Sequence, residues 1–420
     1  MLSNPNSPAP RQTQRWGGWG LFARQCSLSF GLGFSEGKVT QEVVDAVRPA
    51  PSAGAVAPLQ LSRAASTQIT ADALLGCDMP PIYSGRAQML VRHNTVMVTG
   101  AGGSIGSELV RQLTALGASK VICVDRDEYA LYKLQLGLTG QAMLTDSSMT
   151  LADVSSRPQM EAVFAEHRPG LVFHAAACKQ LPLLERAPAQ AILTNVLGTI
   201  NITALAARYR TAYLVNISTD KAARPVSVLG MTKRLAELAV AQCVAELTQV
   251  ASVRFGNVFA SRGSFIETLA HQVGAGLPVT ITDPGMTRFF MTIPQAVGLV
   301  IEAAVMADSK SIFTLNMGDS HSIVDIARRY ASLVGLGEPE IICTGARPGE
   351  KLDEELVGPG EIPRPTAHPA ITAISVGSDG QFDYGAVQSL IQAAGQGASA
   401  GQLRASLADL AGVPRLEASR

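Results

Sequence analysis

The chain reads as an α/β protein: a doubly wound parallel sheet with helices on both faces, and a smaller C-terminal lobe. Three observations carry that reading. Short apolar runs at 95–98, 121–124, 171–177 and 213–217 alternate with stretches of helical spacing, the pattern of a parallel sheet buried on both sides. A glycine-rich turn, 99–106, joins the first of these runs to the first helix. Glycine is abundant at 39 residues while aromatics make up only 5 %, which suits helices packed closely on a sheet.

Composition narrows the classes of function. Among 420 residues, 34 Lys and Arg balance 34 Asp and Glu, so no global field recruits nucleic acid or an anionic membrane. Cys26, Cys77, Cys123, Cys178, Cys243 and Cys343 are scattered, with no C-x-x-C pair. That pattern suits reduced thiols in a cytoplasm and argues against a disulfide framework or a metal site. No apolar run is read as reaching the roughly 18 residues of a bilayer-spanning helix, so no transmembrane segment is predicted. Residues 1–35 carry Arg11, Arg15 and Arg24, with no acid before Glu36, and fit either a disordered leader or a transit-like segment. Residues 48–68, rich in Pro, Ala and Ser, read as a linker, making 1–68 leader and linker together.

From residue 94 the elements follow in order. The strand 95–98 runs into Gly100, Gly103 and Gly106, spaced G-x-x-G-x-x-G, with Ser104 and Ile105 inside the turn. Glycine there permits a tight turn, close approach of backbone N–H groups to a pyrophosphate, and close helix–strand packing. The next strand ends in Asp125, nineteen residues after Gly106, where an acid suits ribose hydroxyls. Arg126 beside it would tolerate a 2′-phosphate, so NAD and NADP both remain open, NAD favoured. Asp153 and Val154 read as an adenine-edge contact or as a surface turn. Ala175 and Ala176 are small enough to let a cofactor lie over the sheet edge, and His174 reads as a packed histidine. Together these features predict a dinucleotide-binding Rossmann domain over 94–255, led in by 69–93.

The run 213–217 is followed directly by Ser218, Thr219, Asp220 and Lys221, with Lys233 on the next helix. Ligands of open α/β sheets sit at the carboxyl ends of strands, so this acid and ammonium should face a bound molecule. A surface ion pair at a strand end is the plain alternative.

The residues so far, with His-Ala-Ala-Ala-Cys-Lys-Gln-Leu-Pro (174–182), Thr-Asn-Val-Leu-Gly-Thr (194–199), Gly-Met-Thr-Lys-Arg (230–234), Arg-Phe-Gly-Asn-Val (254–258), Ser-Arg-Gly-Ser (261–264), Met-Thr-Arg-Phe-Phe-Met-Thr (286–292) and Arg-Pro-Gly-Glu-Lys (347–351), resemble the extended short-chain dehydrogenase/reductases. More narrowly they resemble the nucleotide-sugar 4,6-dehydratases of bacterial polysaccharide synthesis, from about Leu74 to Pro369. The segment before residue 94 is similar to the lead-in of the large, membrane-anchored class, which predicts a version of that catalytic domain without the anchor. Cys178 and Gln180 depart from the aromatic and histidine usual there. Leu229 stands four residues before Lys233, where the small class carries tyrosine and the large class methionine.

The resemblance implies dehydration of a UDP-sugar, UDP-N-acetylglucosamine foremost, to its 4-keto-6-deoxy derivative with retained C5 configuration and with NAD or NADP tightly bound and recycled. Asp220 would protonate the leaving C6 hydroxyl and Lys221 would take the C5 proton, which asks for a proton on Asp220 and a neutral Lys221. Thr219 would meet the C4 oxygen, Lys233 the nicotinamide ribose, and Asn195 would order the site or its water. Lys179, Asn257, Arg262, Arg288 and Arg347 would hold the diphosphate and sugar, because guanidinium donors fork onto phosphate oxygens. Glu350 would accept from the uridine ribose, and Thr287 and Thr292 are lesser candidates. This places the substrate lobe and remaining core at 256–375, a peripheral helical tail at 376–420, and predicts a homo-oligomer. C5-inverting dehydration, C4 epimerisation, and a non-catalytic dinucleotide-binding sensor or scaffold remain as alternatives.

Overall fold

The computed structural model describes residues 69–76, 83–243, 247–308, 311–375 and 382–413, all within one unit, Pro58–Arg420. The leader, the linker, Cys26 and Cys77 lie outside the described residues. In chain order the first half runs α1 (Ala71–Leu75), α2 (Gly85–Arg92), β1 (Thr95–Thr99), α3 (Ser104–Ala115), β2 (Lys120–Asp125), α4 (Glu128–Thr139), β3 (Met149–Leu151), α5 (Arg157–His167) and β4 (Leu171–His174). It continues through α6 (Leu181–Arg186), α7 (Pro188–Ala191), a π-helical turn (Ile192–Leu197), α8 (Gly198–Arg208), β5 (Tyr213–Ile217), a 3₁₀ turn (Asp220–Ala222), α9 (Val228–Ala241) and β6 (Gln249–Arg254). The second half holds β7 (Asn257–Val258), α10 (Phe265–Gly274), β8 (Val279–Ile281), β9 (Thr287–Arg288), β10 (Phe290–Met291), α11 (Ile293–Ala304) and β11 (Ser311–Leu315). Last come β12 (His321–Ser322), α12 (Ile323–Leu333), β13 (Ile341–Cys343), β14 (Ile362–Pro365), β15 (Ile371–Ser375), α13 (Tyr384–Gly395) and α14 (Ala400–Leu410).

Nine strands form the central sheet in the order β14-β15-β11-β6-β5-β4-β1-β2-β3. From β3 to β11 every pairing is parallel, and β15 and β14 close the far edge antiparallel. The order reverses between β1 and β4, which opens a crevice at their carboxyl ends. The inner strands read as unbroken apolar runs because helices cover both faces, burying Val98 and Phe173 with one layer and Met97 and Val172 with the other.

The second half supplies more than a lobe, since β11, β14 and β15 extend the same sheet. The lobe proper is three two-stranded pairings with α10 and α12, and α1 of the lead-in buries Leu74 in its core beside Leu269 and Ile281. The tail helices pack onto the fold. Val387, Leu390, Ile391 and Ala394 of α13 recur at helical spacing and pack with Leu403 and Leu407 of α14 into the cluster that holds Leu229 and Leu235.

The reading that no apolar run reaches about 18 residues is corrected. Pro188–Arg208, 21 residues, is long and apolar enough by length and composition to cross a membrane. Within the fold it is a core helix, with 72 % of its apolar window buried, and its apolar residues are needed because neighbours cover it.

Candidate active site

The glycine turn forms a cradle at the crevice. Gly100 adopts φ +67°, and a Cβ there would stand 2.7 Å from the Cα and N of Ala176. Gly106 sits against the carbonyl group of Gly100, with no room for a side chain. Gly103 caps α3 without a side-chain bond, so the first N–H groups of that helix are left for an anion, and Ser104, Ile105 and Gly106 line the cavity they face. Asp125 accepts from the Gly102 N–H at 2.8 Å and the Asp127 N–H at 3.0 Å, which fixes its carboxylate at the cradle wall. Arg126 lies 3.7 Å from Asp153, and both line the same hollow with Val154, Ala175 and Ala176. These residues fit a dinucleotide: a side-chain-free loop over a helix N-terminus, an acid at the end of the next strand for ribose hydroxyls, and small residues along the strand end after it.

A cavity of about 870 Å³ continues from the cradle, sharing Gly103, Arg126, Ala175, Ala177 and Arg262 with it. Thr219, Lys221, Leu229 and Lys233 line its floor, and Lys179, Asn257, Arg262 and Ser264 line its rim. The 3₁₀ turn after β5 buries Asp220 completely, behind the wall that Thr219 and Lys221 give the cavity. Its Oδ1 accepts from Thr219 Oγ1 at 2.8 Å, from the Lys221 N–H at 2.8 Å and from Lys221 Nζ at 3.0 Å. Lys233 donates through Nζ to Ile217 O at 2.6 Å, and burial pushes its ammonium down to about 8, with Glu237 working against that.

Lys221 also stands 3.4 Å from Glu354, a residue sequence reasoning missed. Burial lowers the affinity of Lys221 for its proton, but Asp220 and Glu354 overcome burial and raise it above the ordinary lysine value. The resting site therefore holds Lys221 as a cation, where the base role asks for a neutral amine. The signal for Glu354 was the acidic run 353–355 after the Arg-Pro-Gly-Glu-Lys motif, which resembles any solvated charge run. In the fold its three acids part company: Asp353 accepts from Thr287, Glu354 meets Lys221, and Glu355 pairs with Arg224.

Several sequence candidates lie elsewhere than expected. Arg288 donates to the carbonyls of Thr287, Lys351 and Leu352 at 2.7–2.9 Å, stands 3.9 Å from Glu350 and does not line the cavity, so its guanidinium is spent within the protein. Arg347 is exposed, and its N–H donates to Glu350 Oε2; neither lines the cavity. Asn195 is fully buried, accepting from the Cys178 N–H and donating to Cys178 O and Thr232 Oγ1, so it holds the cavity wall. Thr292 caps α11. His174 lies between Thr99 and Thr199; because Thr199 Oγ1 donates to Asn195 O, the imidazole must donate to it from Nε2 and accept from Thr99 at Nδ1. Burial, then Lys233, pushes His174 down to about 3, and the ring stays neutral.

The rim compensates for the displaced arginines. Lys179 and Arg262 converge there, and Lys179 is lowered first by burial and then by Arg262. Ser264 precedes α10 with its buried hydroxyl unpartnered among the described residues. Two cations, a hydroxyl and a helix N-terminus there offer donors to an anion, while Glu267 in the same first turn accepts from the Gly263 N–H.

Switch-point crevice, glycine cradle and a strand-end Thr-Asp-Lys turn in these positions define a Rossmann protein of the extended short-chain dehydrogenase/reductase type. The chain belongs to the polysaccharide biosynthesis protein family, whose profile matches residues 96–376. A probable polysaccharide biosynthesis protein EpsC of Bacillus subtilis is 39 % identical over 298 residues, 70 % of this chain and 50 % of that protein, so the chain spans about half that relative's length. Among solved structures, Pen from Bacillus thuringiensis matches with TM-score 0.62 at 28 % identity, covering 70 % of this chain and 90 % of its own. A UDP-glucose 4-epimerase of Thermus thermophilus, solved in complex with NAD, matches with TM-score 0.52 at 26 % identity over 62 % of this chain and 90 % of its own.

Proposed function

We propose that this chain dehydrates a UDP-sugar, UDP-N-acetylglucosamine foremost, to the 4-keto-6-deoxy sugar nucleotide with C5 retained, acting in the cytoplasm for glycan synthesis. What carries the reading is Lys221, which lines a cavity whose position 229 is leucine and has Asp220 buried beside it at 3.0 Å. Elimination across C5 and C6 needs an acid and a base side by side, and epimerisation at C4 leans on a phenol that Leu229 lacks. Gly100, Gly103, Ser104, Ile105, Gly106, Asp125 and Lys233 would hold NAD or NADP, which supplies the hydride acceptor and donor. Lys179, Asn257, Arg262 and Ser264 would receive the diphosphate.

One proton transfer prepares the chemistry. Moving a proton from Lys221 Nζ to Asp220 along their 3.0 Å hydrogen bond leaves a neutral amine to take the C5 proton and a carboxylic acid to protonate the departing C6 hydroxyl. The proton count of the pair is unchanged. Lys233 fixes positive charge under the ribose, and Thr219 meets the C4 oxygen, whose proton leaves through Asp220, Lys221 or a relayed water. The test is incubation with UDP-N-acetylglucosamine in deuterated water, followed by NMR. A 4-keto product carrying deuterium at C5 supports the reading, inverted C5 moves it to the inverting class, and no keto product sinks it. The likeness to a UDP-glucose 4-epimerase favours one second reading, C4 epimerisation, which the same spectra would show as an axial–equatorial change at C4 with C6 intact.

A further inference from the structure

Lys221 is the pivot of the proposed chemistry, and what surrounds it comes from two distant parts of the chain. Asp220 is its neighbour in sequence. Glu354 arrives from the far end of the lobe and is buried, with only 8 % of its surface exposed. Its place is built by Arg288: the guanidinium gathers the carbonyls of Lys351 and Leu352, and Thr287 binds Asp353, so the next side chain is carried against Lys221. Arg288 thereby serves the site from behind.

Glu354 does not line the cavity, so it reaches substrate only through Lys221. Among the described residues Glu354 Oε2, Asp220 Oδ2 and Lys351 Nζ have no hydrogen-bond partner, which leaves the Lys221 ammonium as the polar contact that Glu354 has. We propose that Glu354 is a positioning residue for Lys221, holding its ammonium beside Asp220 and setting when that nitrogen gives up its proton. The charged groups around the pair are Asp220, Arg288 and Lys351. Burial raises the proton affinity of Glu354, and Lys221, Arg288 and Lys351 oppose that; with Glu354 ionised, it and Asp220 are the two carboxylates beside Lys221, and removing one leaves a single anionic partner. The proposal rests on the dehydratase reading for its consequence in turnover, but its electrostatic part stands without substrate.

The test uses the full chain with its nucleotide. Lys221 is labelled competitively with acetic anhydride across pH and quantified by peptide mass spectrometry, for the wild type, Glu354→Gln and Glu354→Asp. Glu354→Gln should lower the labelling midpoint by about one pH unit, as expected for losing an opposite charge within a few ångströms. The limb of kcat that reports Lys221 should move by the same amount, with KM unchanged. Glu354→Asp should recover most of the wild-type midpoint. An unmoved midpoint in Glu354→Gln overturns the proposal, as does an equal shift in both variants. If neither variant folds, the wild type decides: a midpoint at or below that of an ordinary lysine, about 10.4, overturns it. A shifted midpoint with no turnover of any UDP-sugar supports the role of Glu354 and overturns the dehydratase reading alone.

Discussion

Arg254 grips both oxygens of Glu237, Nε to Oε1 and Nη2 to Oε2, each at 2.7 Å, with both side chains wholly buried. Glu361 takes the rest of the guanidinium at 2.6 Å, and Ser218 donates to Glu237 at 2.6 Å. The network thus ties the end of β6, helix α9 and the start of β14 to the residue that opens the Thr219–Asp220 turn.

Breaking that network by Arg254→Met should destabilise the protein by about 3–5 kcal/mol, because two buried carboxylates lose their bidentate partner and are left to share Arg234. Urea unfolding measures it, and an unchanged midpoint would show that the carboxylates find water or each other. Burial raises Glu237, but Arg254 overrides burial and holds the carboxyl below its usual range. A depressed folded value means stability that is present above the unfolded value of about 4.5 and lost as pH falls through the folded one.

Lys221→Ala should reduce product formation by about 10²–10⁴-fold while the bound nucleotide stays in place. Absorbance of the released nucleotide and NMR of the sugar check the two halves. Turnover near the wild-type rate would remove Lys221 from the base role.

Arg262→Ala and Arg347→Ala should separate cleanly. Losing a charged donor to the diphosphate at Arg262 should raise KM by about 10–100-fold, the worth of a hydrogen bond to a charged group. Arg347 is exposed and off the cavity, so its variant should bind substrate as the wild type does. Equal KM values for the two variants would return Arg347 to the site.

Gly100→Ala should cost bound nucleotide by about tenfold or more, through overpacking against Ala176 and a left-handed backbone that alanine resists. Nucleotide per chain after purification is the readout. A full complement would mean that the cradle widens without loss.

His174 should show no titration in NMR from pH 8 to 5, with its proton on Nε2. Its folded value of about 3 lies below the unfolded 6.5, so the unfolded chain binds the extra proton between them. Stability should therefore fall as pH drops from about 6.5 toward 3, and His174→Asn should flatten that slope. An imidazole titrating near 6.5 would contradict the buried threonine pairings.

The parallel sheet, the glycine cradle, Asp125, and the Thr219–Lys221 turn with Lys233 were legible in the chain because each is local. A buried strand, the turn that ends it and the helix that follows are written in consecutive residues, and their periodicity states which face is covered. Partners across the chain were not legible. Arg288 looked like a phosphate ligand and instead ties down 351–352, since nothing in the order of residues says whether a guanidinium meets carbonyls or a ligand. Asp353, Glu354 and Glu355 are one charge run in sequence and three separate contacts in the fold. Pro188–Arg208 could be apolar for lipid or for protein, and only the helices and strands packed around it decide. The sequence alone thus determined the scaffold and the acid–ammonium pair. Tertiary structure decided which charges surround Lys221, because burial and proximity are set by distant segments closing on one another.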